Sequence, residues 1–590
     1  MSTFNVLKYE IKVEGGNENF NISLSGYEEQ KGLEYIKLKM TSNTEIEPTK
    51  LSLVWSTPSI ETHSRWNPTI AFNRGIGIDW TREVFKSKAT FGAPVCTHLN
   101  YKGENQLTIA VSDALNSIEI KTGVSEETAN MICIVSFFTA PMQPLKEYEA
   151  VIRLDTRHIP YYESLDQVQQ WWASMPGYEP AGVPEIARRP MYSTWYNYHQ
   201  HIDPDSMVEQ CRLAKEMGMD AIIVDDGWQT DDNSRGYTYC GDWEVAAAKV
   251  PDMRKFVDAV HATGMKFILW YSVPFVGKYS KAYDRFKEKF LDLGERGWWT
   301  LDPRFPDVRE YLINIYENAV KEWDLDGLKL DFVDSFSKVA EGACDIPGRD
   351  YNSVEEAVDR LLKDTLKRLR AIKPDFMIEF RQNYVGPLMR TYGNMFRAAD
   401  CPNNSLYNRA RIVDIRLICG NTAAHADMIM WHNSDTVVSA AMQIINILYS
   451  VPQISVLLDK IPEEHQKMLK YLLKFWNDHR DVLLDGKFVA LHPEANYSSV
   501  IAATPKKMLA TAYSSPVIAI PQASFEEIIL VNGSYEERLL VETAHEYGNA
   551  GFEVRNCCGE LVTSGTINLS KGIHSIDVPP AGIIFLKLNA

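Results

Sequence analysis

Residues 220–228 read DAIIVDDGW and residues 327–334 read GLKLDFVD, two short runs that are almost wholly apolar until each ends in acid. A continuous apolar run of four or five residues marks a strand covered on both faces, as parallel sheets require. Six runs of similar texture surround them: PMYSTWYNY (190–198), KFILWYSV (266–273), FMIEFRQ (376–382), MFRAADCP (395–402), ADMIMWH (426–432) and PQISVLLD (452–459). Amphipathic helical segments lie between them, such as PDSMVEQCRLAKEMGM from 204, DMRKFVDAVHATGM from 252 and SVEEAVDRLLKDTLKRLRAI from 353. Eight strands alternating with helices over roughly 290 residues predict a central (β/α)8 TIM barrel.

The flanks have a different period. YEIKVEG (9–15), YIKLKMTS (35–42), SIEIKTG (117–123) and YEAVIRLD (148–155) alternate polar and apolar residues between Gly, Asn and Pro turns, which predicts an antiparallel β-sandwich. The same alternation returns in KFVALH (487–492), EEIILVNGS (526–534) and IIFLKL (583–588) and predicts an antiparallel C-terminal β-domain. The linker PGYEPAGVPEIARRP (176–190) falls between the first two textures. The expected division is therefore 1–185 for the sandwich and linker, 186–483 for the barrel and 484–590 for the last β-domain.

Composition narrows the function classes. The 590 residues carry a net charge of −17, which argues against nucleic acid and anionic membrane as partners, since both need clustered Lys and Arg. The uncharged stretch 436–458 contains Pro452 and reads as a buried helix followed by a buried strand rather than a membrane span. Nine cysteines with no CxxC spacing fit neither a disulfide framework nor a zinc ribbon. The opening MSTFNVLKYEIKVEGG lacks the basic flank and apolar run of a signal peptide, so a cytoplasmic location is expected.

In a TIM barrel the chemistry sits where strands end. Strand two delivers Asp225, Asp226 and Trp228. Adjacent carboxylates suit the hydroxyls of a sugar, with Trp228 as a stacking face, although they would also cap the following loop. On strand four Lys329 and Asp331 share a face, so the ammonium would keep Asp331 ionised, as a nucleophile requires, or form a buried structural ion pair with it. Strand six ends at Asp400. Two carboxylates from strands four and six, facing each other across a cleft, are the equipment of glycoside hydrolysis.

VDDGW, LKLDF and RAAD together resemble the motifs of the melibiase-type α-galactosidases, glycoside hydrolase family 36, in the clan shared with family 27. The three-part layout resembles that family along essentially the whole chain. The resemblance implies a retaining, exo-acting α-galactosidase without metal or cofactor, acting on an α-galactoside oligosaccharide or glycoconjugate, with a homo-oligomer possible by analogy. It implies Asp331 as nucleophile and Asp400 as acid/base. It also implies contacts from Asp225 and Asp226 to O4 and O6, from Lys329 near O3 and O4, and from Arg397 to O2. Two stretches depart from the family: EFRQNYVGP (379–387) stands where a Cys-Ser-Gly-Gly-Gly run is common, and ADCPNN (399–404) replaces an Asp-rich segment. The C2 substituent stays open, with an α-N-acetylgalactosaminidase or a transglycosylase as alternatives.

Further candidates are Trp195 and Trp270 as walls of the sugar site and Arg381 as a sugar or carboxylate contact. Asp414 is a reserve acid/base, more readily paired with Arg411 or Arg416. His425, Asp427, Trp431 and His432 read as a structural network, and Arg65 and Trp66 as a loop reaching over the mouth. A metal-dependent barrel hydrolase would use His199 and His201 with Lys329, but needs further His on strands five and six, where none stands. A non-catalytic carbohydrate-binding protein would keep VDDGW yet have no need of opposed carboxylates.

Overall fold

In the computed structural model, residues 2–588 are described except 82, 293, 295, 337–346, 515–516 and 522. Eight parallel strands form the central sheet: β1 (Met191–Ser193), β2 (Ala221–Val224), β3 (Lys266–Ser272), β4 (Gly327–Asp331), β5 (Met377–Arg381), β6 (Met395–Arg397), β7 (Ala423–His425) and β8 (Gln453–Ile454). Their spatial order is β7-β6-β5-β4-β3-β2-β1-β8, and parallel bridges His425–Val451 and Ile429–Ile454 bring the two edges together into a barrel.

Several helices begin where the sequence supplies caps. Asp203 accepts from the Ser206 amide at the start of Pro204–Glu216, and Asp252 from the Lys255 amide at the start of Met253–Ala262. Ser353 does the same for Glu356 ahead of Val354–Ile372, the Ser-x-x-Glu spacing of a capping box. The uncharged stretch resolves into helix Val437–Ile445 and strand β8, and among the described residues no helix is long and apolar enough to cross a membrane.

Strand alternation stratifies the barrel interior. Met191, Ala221, Ile223, Ile268, Met377, Met395 and Ala423 pack as one buried apolar cluster around Ala187, which closes the N-terminal end. Above them the inward positions turn polar, with Trp270, Lys329, Asp331, Glu379, Arg381, Arg397, His425 and Gln453. The Gln453 amide donates to Glu379 at 2.5 Å, from β8 to β5, a bond that only an interior position allows.

Before the barrel, two six-stranded antiparallel sheets face each other over a core that includes Ile11, Val13, Ile36, Leu38, Trp55 and Ile152. After it come a seven-stranded and a three-stranded sheet, mostly antiparallel, with Lys507–Ala512 running parallel to Glu527–Asn532.

Four strands are shorter or placed differently from the expectation, among them β8, which keeps only Gln453–Ile454 of 452–459. β1 stops at Ser193, and Trp195 lies in the helical turn Trp195–Tyr198. β6 stops at Arg397, so Asp400 belongs to the loop. β7 is Ala423–His425, and the apolar run ADMIMWH follows it as an irregular segment touching β8 through Ile429. Apolar residues continued past the ladder because this segment stays buried outside the sheet.

Candidate active site

Asp331 is the last residue of β4 and is 7% exposed. Its Oδ1 accepts from Arg381 Nε at 2.7 Å, the Tyr384 hydroxyl at 2.5 Å and the Phe332 amide at 2.9 Å, while Oδ2 accepts from Trp270 Nε1 at 3.1 Å. Phe332 adopts a left-handed backbone (φ 63), which turns the chain sharply beneath the carboxylate. Burial alone would raise the Asp331 pKa, but the charges of Arg381 and Lys329 and the Tyr384 hydrogen bond outweigh it and hold the carboxyl well below its usual range. The group is ionised at neutral pH and fixed at both oxygens.

Lys329 sits two positions below Asp331, yet its Nζ binds Asp225 Oδ2 at 2.6 Å in a buried ion pair. The direct cation at Asp331 is Arg381, which the alternation of β4 alone could not reveal because Arg381 comes from β5. Asp225 Oδ1 also takes the Asp226 amide at 2.9 Å. Asp226 accepts amide N–H groups from Gln200 at 2.7 Å and Gln229 at 2.6 Å. Burial, followed by the neighbouring Asp225 charge, pushes Asp226 up to about 6 against those donors.

Asp400 lies three residues beyond β6, with its side chain half-exposed and one oxygen 2.9 Å from Arg397 Nη2. Burial would raise it, but Arg397 first, then Arg381 and Lys329, hold it below the usual carboxylate range, while the Asp331 charge acts in the opposite sense. Arg397 itself is 1% exposed and lies among Glu379, Asp400 and Asp427, so a guanidinium read as a sugar contact is engaged in organising carboxylates.

The three tryptophans lie in different surroundings, and the stacking role expected of Trp228 does not fit its burial. Trp228 is fully buried, donates from Nε1 to the Trp270 carbonyl at 2.9 Å and packs on Tyr271, Trp243 and Trp323, so it offers no face for stacking. Trp270 is 2% exposed and presents its N–H edge to Asp331. Trp195 is half-buried beside His199.

The reserve acid Asp414 is completely buried, held by Arg74 at 2.9 Å, Trp66 Nε1 at 2.9 Å and the Tyr497 hydroxyl at 2.5 Å. It pins sandwich, barrel and C-terminal domain together and cannot meet a substrate. Trp66 therefore serves that junction rather than the mouth, and Arg65 pairs with Glu83. The sandwich does approach the mouth elsewhere: the Gly92 amide donates to the Asn383 carbonyl at 2.7 Å, and Lys88 Nζ to the Phe336 carbonyl at 3.1 Å. The four residues of 425–432 go separate ways. His425 meets the Ala187 carbonyl and Gln453, Trp431 meets His465, His432 caps Ser434, and Asp427 joins Arg397. His199 and His201 have separate neighbours, Trp195 and Asn233.

Several residues of the site escaped the sequence reading. Tyr384 and Phe332 follow their strands by three residues and one residue, within the loops where barrel chemistry concentrates, and that position is the signal that was available. Tyr237, in the long loop after β2, feels the charges of Asp331 and Asp226 and packs against Phe275, Trp298 and Phe332. Gln200, Gln229 and Tyr196 carry no sequence signal of their own.

A barrel mouth with one locked, ionised carboxylate and a second acid on the loop two strands away has the equipment of a glycoside hydrolase site. Residues 186–379 match the melibiase family, and over that region the chain is homologous to the melibiase-type α-galactosidases of glycoside hydrolase family 36, in the clan shared with family 27. It is 27% identical to an α-galactosidase of Lactobacillus acidophilus over 202 residues, 32% of this chain and 26% of that protein. It is also 24% identical to an A type blood α-D-galactosamine galactosaminidase of Flavonifractor plautii over 201 residues, 31% of this chain and 17% of that protein. The match to the first of these spans about a quarter of that relative's own length. The fold is shared with the crystal structure of an α-galactosidase from Lactobacillus brevis (TM-score 0.61, 14% identity, 98% of this chain and 85% of that one). The α-galactosidase AgaA of Geobacillus stearothermophilus is similar in the same way (TM-score 0.61, 13% identity, 99% and 87%).

Proposed function

We propose that the protein is a retaining, exo-acting α-galactosidase, with Asp331 as nucleophile and Asp400 as acid/base. The observation that carries the reading is the state of Asp331: four donors orient it at the end of β4, and neighbouring charges favour its ionised form. A carboxylate so placed attacks the anomeric carbon while Asp400 protonates the departing glycosidic oxygen. Bound sugar covers the half-exposed Asp400, and that desolvation raises its proton affinity for the first step. Once Asp331 has become an ester its negative charge is gone, Asp400 ionises more readily, and it accepts the proton of the attacking water. Asp225 and Asp226, with Lys329 beside them, form the acidic side of the site and suit the hydroxyls of a terminal galactose. The eight described cysteines, all unpaired, support a reducing, cytoplasmic setting.

A second reading, an α-glycosidase for a galactosamine unit, is supported by the likeness to the Flavonifractor plautii protein and by the Arg381–Gln382–Asn383 loop standing where the family pattern departs. Hydrolysis of aryl α-glycosides differing at C2, C4 and C6, followed by NMR of the first-formed sugar, separates these. The expected outcome is release of α-galactose as the initial anomer. Initial β-sugar, or preference for a C2-acetamido donor, overturns the retaining or the galactose assignment respectively.

A further inference from the structure

Three carboxylates converge on one buried cation, Arg397. Its Nη2 donates to Asp400 at 2.9 Å, Nη1 to Asp427 and to the Ala398 carbonyl, and Nε faces Glu379 at 3.5 Å. Glu379 and Asp427 are completely buried, whereas Asp400 is half-exposed. Asp427 Oδ2 also accepts the Tyr196 hydroxyl at 2.8 Å and the amide of Cys401, the residue next to Asp400, at 2.6 Å. Glu379 is held from across the barrel by Gln453. The other charges acting on Asp400 are Lys329 and Asp331 on β4 and Arg381 on β5.

We infer that Asp427 is a positioning residue for the acid/base: it fixes the Asp400 loop through the Cys401 amide and draws off part of the Arg397 charge that Asp400 would otherwise receive. The inference rests on the proposed role of Asp400. Its logic is electrostatic. One guanidinium brings a single positive charge to three carboxylates, so each added negative charge weakens its hold on the others. Burial raises Glu379 and Asp427, while at Asp400 the Arg397 charge overcomes burial. Removing the Asp427 charge leaves Asp400 a larger share of Arg397, lowers its proton affinity, and makes it a poorer acid at neutral pH.

The test is the pH dependence of kcat for the full chain with Asp427→Asn, read on two aryl α-galactosides. With a poor leaving group that needs protonation, the alkaline limb is expected to move to lower pH by about one unit, an approximately tenfold loss on that limb. With 2,4-dinitrophenolate as leaving group, which needs no proton, the loss is expected to be small. Glu379→Gln, at the longer contact, moves the limb in the same direction by less and stands in if the first variant does not fold. If Asp400→Asn abolishes the limb but neither of the two variants moves it, the role of Asp427 is overturned and that of Asp400 stands. A wild type that cleaves no α-galactoside overturns both readings.

Discussion

The ends of β4 and β6 hold the two proposed catalytic acids in opposite manners. Asp331 is dry, met by four donors and held ionised by Arg381 and Lys329. Asp400 is half-exposed, has one direct cation, and shares that cation with two buried competitors. A nucleophile needs a constant charge, whereas an acid/base must give up a proton and recover it. On the proposed roles, this difference is met by saturating one carboxylate with donors and rationing them at the other.

The comparison breaks most visibly at Asp331. Asp331→Asn keeps the shape of the side chain but removes the nucleophile, and turnover of every α-galactoside is expected to fall by about 10^4-fold or more. A carbohydrate-binding protein would instead show a change in affinity alone, read by calorimetry with galactose. Asp400→Asn is expected to cost about 10^2- to 10^4-fold on sugar leaving groups and far less on 2,4-dinitrophenyl galactoside, because only the former require a proton. A uniform loss across both substrates would place Asp400 outside acid catalysis.

Tyr384→Phe sharpens the contrast by loosening the locked side. The hydroxyl stabilises the ionised form of Asp331, so its removal raises the Asp331 pKa and moves the acid limb of kcat/KM to higher pH, with about a tenfold loss at low pH. Trp228→Phe tests the buried wall. Leaving the Trp270 carbonyl without its donor is expected to destabilise the fold by about 1–3 kcal/mol in urea denaturation with KM unchanged, whereas a stacking residue would raise KM. The smallest effect concerns Asp226. With its folded pKa raised to about 6, its contribution to stability is complete below the unfolded value of about 4 and is lost as pH rises through 6. Asp226→Asn should therefore flatten the melting temperature between pH 4 and 7.

Much of the barrel was legible because each buried strand is a short apolar run and the long helices carry their own period, several of them with a cap. The boundaries that slipped, at Asp400 and after His425, are places where burial continues beyond the ladder, and composition does not distinguish a buried loop from a buried strand. Within the site, Asp225, Asp226, Lys329, Asp331, Arg381 and Asp400 could be named because strand ends point to them. Their pairing could not: that Lys329 serves Asp225 while Arg381 serves Asp331 depends on which strands stand next to each other, β4 and β5, and which stand next but one, β2 and β4, around the barrel. Trp228 and Asp414 show the opposite limit. Their residue types suggested chemistry, and only packing reveals one as a wall behind Trp270 and the other as the bolt joining three domains.

The central claim is that Asp331 forms a covalent bond to the sugar. Incubation with a 2-deoxy-2-fluoro α-galactosyl donor followed by peptide mass spectrometry addresses it directly. The expected result is one fluorogalactosyl unit on the peptide that contains Asp331, with loss of activity in step. Labelling of a different carboxylate, Asp400 or Asp226 among them, or full turnover of the donor without any adduct, would contradict it.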